Sequence, residues 1–263
     1  MEESDFLHIN AEGTSLRRHQ LKMLDILVYV DAVCRKHNID YWLSGGTLLG
    51  AVRHKGFIPW DDDLDIVLMK KDLKRLHQIL LKESTYYQLQ ANDTDYTYVA
   101  PYEKLRIPNT RIKENNDNDR YYSYKGIYID LFFWEPASRL FHLVSNKMQL
   151  LAIRMVKINP SRLWKKGLLR AYFLCLSRFL YPCLSFFSYL FARKNVSYPL
   201  GSFFSTQFEK EWIYPLVELE FEGKKFFVPR DYDAVLKAQY GDYWQLPDFS
   251  KIEFHTCSVE FDE

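Results

Sequence analysis

No Cys-x-x-Cys pair occurs in this sequence. Its four cysteines, Cys34, Cys175, Cys183 and Cys257, are scattered. That excludes a zinc pattern and implies buried thiols in a reducing compartment. No basic-then-apolar leader opens the chain, which carries Glu2, Glu3 and Asp5 there. A cytosolic location is expected. Internal repeats and low-complexity tracts are missing too. Acid is absent from Pro136 to Phe208, an interval that holds Arg139, Lys147, Arg154, Lys157, Arg162, Lys165, Lys166, Arg170, Arg178, Arg193 and Lys194. A net charge of +1 therefore conceals a cationic segment. His8, His19, His37, His77, His142 and His255 show no spacing that suggests a metal site.

What is present is enough for a core: 48% of the 263 residues are hydrophobic. One large domain, or a domain with an appended lobe, is expected. Leu21, Leu24 and Val28 recur at helical spacing, predicting a helix over Ser15–His37 with Ser15 as N-cap and Asn38 at its end. Lys71–Lys82 reads as a second amphipathic helix. Tyr86–Leu89, Tyr96–Val99 and Tyr102–Ile107 read as strands, residues 115–120 as a polar loop, and Tyr121–Phe133 as a central strand carrying Asp130. Val217–Phe221 and Lys225–Val228 form a hairpin, followed by a helix over Asp231–Tyr240 that Gly241 ends. Leu168–Ala192 is long and rich in Leu and Phe, but Arg170 and Arg178 interrupt it and Pro182 would kink it. It is expected to be an interfacial or re-entrant helical segment, with aromatics in the headgroup zone and basic residues on anionic lipid. The alternative is a buried helical pair with snorkelling arginines.

The organising stretch is Tyr41–Leu68, YWLSGGTLLGAVRHKGFIPWDDDLDIVL. Tyr41–Leu43 reads as a short strand, Ser44-Gly45-Gly46 as a tight turn, and Thr47–Val52 as a helix start whose free N–H groups suit an anion. Asp61, Asp62, Asp63 and Asp65 then crowd before Ile66-Val67-Leu68. Carboxylates this dense repel unless a cation neutralises them. On a strand over Asp63–Leu68, Asp63 and Asp65 share a face with Cα atoms roughly 6–7 Å apart. Two such carboxylates suit Mg²⁺ or Mn²⁺. Asp61 falls on that face as a supporting acid, while Asp62 and Trp60 read as structural. Arg53 and His54 are candidates for holding phosphate, as is Lys104 on a neighbouring strand. A calcium-loop reading fails, because Ile66 and Asp72 stand where that loop needs Gly and Glu.

The string GGTLLGAVRHKGFIPWDDDLDI closely resembles the LicD family, which includes bacterial phosphocholine transferases and, more distantly, fukutin-related proteins. Gly126–Phe132 is similar to the family's third-carboxylate strand. Val228–Tyr232 and Tyr240–Trp244 are similar to its C-terminal pattern. The resemblance implies an α/β (α+β) nucleotidyltransferase-type mixed sheet flanked by helices, with a helical basic and aromatic insertion. Residues 1–135 would be the catalytic core, 136–208 a membrane-proximal insertion, and 209–263 the hairpin and helix that complete the core.

It also implies Asp63, Asp65 and Asp130 as catalytic metal ligands for Mg²⁺ or Mn²⁺, with Asp130 completing the site or acting as base. Ser44, Gly45, Gly46, Thr47, Arg53, His54 and Lys104 would bind the donor. The expected reaction moves phosphocholine, or another phospho-alcohol, from a CDP-activated alcohol to a hydroxyl of a cell-surface glycan or its lipid-linked precursor, releasing CMP. The protein would act in the cytoplasm, peripherally on the inner face of the plasma membrane, with no nucleic-acid partner. Two other readings stay open: an NTP-using nucleotidyltransferase releasing pyrophosphate, and a non-catalytic membrane adaptor.

Overall fold

The computed structural model of the protein describes residues 8–114, 122–157, 163–191, 194–246 and 256–261. The elements run α1 (Ser15–His37), β1 (Tyr41–Leu43), α2 (Gly45–Arg53), β2 (Asp65–Met69), α3 (Lys70–Glu83), β3 (Gln88–Gln90), β4 (Glu103–Arg106), β5 (Thr110–Glu114) and β6 (Tyr128–Trp134). Then follow α4 (Arg139–Lys157), α5 (Leu163–Cys175), a π-helical turn (Leu176–Leu180), α6 (Tyr181–Phe191), β7 (Asn195–Val196), β8 (Phe208–Glu209), β9 (Val217–Phe221), β10 (Lys224–Val228), α7 (Tyr232–Tyr240) and β11 (Thr256–Phe261).

A five-stranded mixed sheet, ordered β1-β2-β6-β4-β3, forms the centre. Within it β2 and β6 run parallel and the other neighbours antiparallel. This is the α+β arrangement expected, with α1, α2 and α3 packed against the sheet. Parallel neighbours need a crossover, and α3, β3, β4 and β5 lie within the one from β2 to β6. Trp42 and Trp134 meet edge to face at 5.2 Å, and Trp134 stacks on Phe208 at 4.1 Å. All three are fully buried. Such burial contributes about 2–3 kcal/mol for each ring.

Several local expectations need correction. Thr14 caps α1, its Oγ1 accepting from Arg17 N at 3.2 Å. Thr14, and not Ser15, has the extended backbone that an N-cap needs. Asn38 does end the helix, in the left-handed region at φ 52°. α2 starts at Gly45, so the two glycines form its first turn and not a turn ahead of it. β2 starts at Asp65, which puts Asp63 in the preceding loop. There successive like charges can splay apart. Tyr96–Val99 is not a strand. Asp95 captures that stretch in a turn, accepting from Thr97 N and Thr97 Oγ1. Cys34 is buried, but Cys175 and Cys183 are exposed, since both fall on the outer side of the α5–α6 helix. The predicted loop over 115–120 lies outside the described residues.

The C-terminal expectations fare better. β9 and β10 pair through the two-residue turn Glu222-Gly223, both at positive φ (51° and 71°). Asp231 caps α7 through Ala234 N, and Gly241 ends it at φ 72°. The π-turn at Leu176–Leu180 lies just ahead of Pro182. A wider turn there accommodates the missing N–H.

Candidate active site

Asp65 and Asp130 are register partners on the parallel pair β2 and β6. On the other side of β6, Lys104 of β4 is the partner of Asp130. A row of three charged side chains thus crosses three strands on one face. Lys104 Nζ lies 2.9 Å from Asp130 Oδ1, with both side chains nearly buried. The same ammonium sits 3.3 Å from the centroid of the Tyr128 ring. That ring is two residues before Asp130 on the same face and attracts the cation.

The start of α2 is bound to the first acid. Ser44 N donates to Asp65 O at 3.1 Å, and Asp65 N donates to Thr47 Oγ1 at 2.9 Å. Ser44 Oγ shares a 2.7 Å hydrogen bond with Tyr198 OH. The glycines are needed for space. A Cβ on Gly45, whose φ is 57°, would stand 2.8 Å from Asp65 Oδ2, and one on Gly46 would stand 2.6 Å from Asp61 Oδ2. No side chain fits between this backbone and these carboxylates.

The acids raise one another's pKa. Burial pushes Asp61 well above the usual carboxylate range, and the charge of Asp63, a hydrogen bond with it, and the charges of Asp65 and Asp62 push further. Asp65 is raised likewise, by burial, then Asp63 and Asp130, with Lys104 opposing. Asp61 Oδ2 is buried with no hydrogen-bond partner. An all-oxygen, mutually repelling donor set with an orphaned buried oxygen suits a hard divalent cation. Among the described residues, no three Asp, Glu, His or Cys side chains already converge with metal-binding geometry.

Arg53 is the last residue of α2 and His54 its C-cap, so both lie at the opposite end of that helix from Gly45. Arg53 Nη1 reaches Tyr243 O at 3.5 Å. Asp62 is buried, and Trp60 packs in the core.

Sequence reasoning missed several participants. Tyr240, at the end of α7, has its phenol pushed well above the usual range by burial, Tyr198, Asp65, Asp61 and Asp63, although the residue stays 43% exposed. Tyr198 comes from the segment after α6 and carries no local signal. A clamp behind the acid loop was also invisible. Arg17 of α1 grips Glu222 at the β9–β10 turn with two bonds, at 3.0 and 2.6 Å. Glu222 Oε1 accepts from Phe57 N at 3.1 Å, and Glu222 N donates to Lys55 O at 2.8 Å. Gln20 Nε2 donates to Asp61 O at 2.9 Å. The loop ending in Asp61 is therefore held from α1 and from the hairpin at once.

Residues 38–157 match the model of the LicD/FKTN/FKRP nucleotidyltransferase domain. The lipopolysaccharide cholinephosphotransferase LicD of Haemophilus influenzae is 30% identical over 253 residues, covering 89% of this chain and 92% of that protein. The ribitol 5-phosphate transferases FKRP of Homo sapiens and Mus musculus are each 43% identical over 51 residues, 19% of this chain and 10% of theirs. The matched region contains Asp61, Asp63, Asp65, Lys104 and Asp130, and the chain belongs to the LicD family.

Proposed function

We propose that the protein is a metal-dependent phosphotransferase that moves phosphocholine, or another phospho-alcohol, from a CDP-activated donor to a hydroxyl of a glycan or its lipid-linked precursor. The acceptor oxygen attacks the phosphorus that bears the alcohol. The bond from that phosphorus to the CMP oxygen breaks, and the acceptor's proton passes to a carboxylate. Asp63, Asp65 and Asp130 would hold Mg²⁺ or Mn²⁺, with Asp61 beside Asp63. When bound, such an ion neutralises the charge that builds on the bridging phosphates. Gly45 and Gly46 let the backbone of the first turn of α2 approach the donor, and Lys104 balances Asp130.

The observation that carries this reading is the crossing of Asp65, Asp130 and Lys104 on three adjacent strands, beside a glycine pair that only bare backbone can occupy. The names of the relatives, a cholinephosphotransferase and ribitol 5-phosphate transferases, support a phospho-alcohol as cargo and a glycan as acceptor. The test is incubation with Mg²⁺, acceptor glycan and either CDP-choline or CDP-ribitol, with mass analysis of the products. CMP release matched by acceptor gaining the phospho-alcohol is expected. Pyrophosphate from an NTP in its place would mark a nucleotidyltransferase. No product from any donor would remove the proposal.

A further inference from the structure

α4 is built inside out. Three of its four fully buried positions carry His142, Ser145 and Gln149, each at most 1% exposed, and the fourth is the small Ala152. Its outer positions carry Leu140, Leu143, Val144, Leu150 and Leu151, between 40% and 65% exposed. A helix bathed in water has the reverse pattern. Two of the buried polar groups are tied to the body of the protein. Gln149 Nε2 donates to Val99 O at 2.6 Å, Gln149 Oε1 accepts from Tyr181 OH at 2.9 Å, and Ser145 Oγ accepts from Gly201 N at 3.1 Å. The polarity is thus fixed by the fold, and the apolar side is committed to the outside.

The helix over Gly167–Phe191, which contacts α4, also exposes Leu168, Phe179, Phe186, Phe187, Leu190 and Phe191. At 25 residues it is, by length and composition, long and apolar enough to cross a bilayer. It is nevertheless tied down along its length. Leu169, Phe173, Leu176, Tyr181 and Ser188 are buried against the body, Ser188 Oγ accepts from Ser138 N, and Ser185 Oγ donates to Pro136 O. A helix docked by one whole side lies in the plane of an interface and does not span it.

Charge names the occupant. The outer side of α4 also exposes Arg139, Lys147 and Arg154, and no acid occurs from Pro136 to Phe208. Beside α6 a groove of about 450 Å³ is walled by Lys71 and Lys74 on one side and by Pro182, Phe186 and Tyr189 on the other, with Glu135 also in its wall and paired with Lys70. Lys71 and Lys74 sharing a groove with Phe186 and Tyr189 match an anionic phospholipid headgroup above its acyl chains.

We propose that α4 and α6 form a single in-plane docking face for an anionic bilayer. This inference does not depend on the catalytic reading, because it is tested without donor or acceptor. The full chain is sedimented with vesicles of phosphatidylcholine alone and with vesicles of two parts phosphatidylcholine to one part phosphatidylglycerol. Binding to the anionic vesicles at least ten-fold tighter is expected, weakening steeply in concentrated NaCl. The variant L143E/L151E/F186E should lose at least ten-fold of that binding. K147E/R154E, which leaves every apolar group in place, should lose a similar factor, at about five-fold per charge. Unchanged far-UV circular dichroism would exclude misfolding. Failure of the wild-type chain to bind anionic vesicles would overturn the proposal. So would binding by both variants as tight as that of the wild-type chain, or a dimer in solution that L143E/L151E/F186E dissociates.

Discussion

Lys104 reaches across from β4 to place its ammonium 2.9 Å from Asp130 Oδ1, while Asp130 is itself paired in register with Asp65 on β2. The ammonium thus offsets one carboxylate of a crowded set. Removing it should leave Asp130 buried and uncompensated. Lys104→Met is expected to destabilise the protein by about 3–5 kcal/mol, measured by urea unfolding. Asp130→Asn in the Lys104→Met background should recover part of that loss, and a double-mutant cycle checks the coupling.

Asp65→Asn should reduce transfer by at least about 10³-fold while leaving the fold intact, because it removes a carboxylate proposed to hold the ion that neutralises the donor's phosphates. A thermal shift on adding Mg²⁺ should appear in the wild type and vanish in this variant. Unchanged turnover by Asp65→Asn would remove Asp65 from the proposed metal site, and no turnover by the wild type would support a non-catalytic adaptor.

Gly46→Ala puts a methyl 2.6 Å from Asp61 Oδ2 at a helical position that otherwise welcomes alanine. Activity should fall by about 10²-fold, the scale of a small misplacement at a reacting centre, with little change in Tm. Gly45 sits at φ 57°. Gly45→Ala adds the strain of that conformation and should also lower stability by about 1 kcal/mol.

The Glu222 carboxyl is lowered on balance. Burial raises it, but the Arg17 hydrogen bonds, the Phe57 N–H and the Arg17 charge together outweigh that. Its contribution is present above the usual 4.5 and is lost as pH falls through the lowered value. Glu222→Gln should cost about 2 kcal/mol at neutral pH and flatten the acid limb of the stability curve. Because the clamp sets the Asp61 loop, kcat should fall as well, although Glu222 touches none of the acids.

His77 has the opposite sign. Its hydrogen bond to Glu103 raises its pKa above the usual 6.5 against burial, with the charges of Glu103 and Asp93 and a hydrogen bond to Asp93 adding to the rise. That stability is complete below 6.5 and is lost as pH climbs through the raised value. Glu103 is itself raised, chiefly by burial, and acts in the same direction. Tm should decline as pH rises above 6.5 more in the wild type than in His77→Gln.

The parts read correctly from sequence are those whose signal is local. α1, α7 and the hairpin announce themselves through apolar spacing, a capping aspartate and glycines at left-handed positions. Asp65 and Asp130 each stand at an apolar strand, and an acid there calls for a partner. What sequence could not supply is anything made by distant segments meeting. The Arg17–Glu222 clamp joins positions 205 residues apart, and the Ser44–Tyr198 bond joins positions 154 apart. Tyr96–Val99 misled for a related reason. Its β-forming residues look like a strand, but Asp95 gathers Gln90, Thr97 and Ser123 about one buried carboxylate and bends the chain.

The register of β2 against β6 works as a ruler. Two acids brought together by adjoining rungs of one ladder stand apart by the interstrand spacing, which loop sequence cannot retune. Under the proposed function, donor and acceptor preference could therefore diversify in the surrounding loops and helices while this spacing stayed fixed.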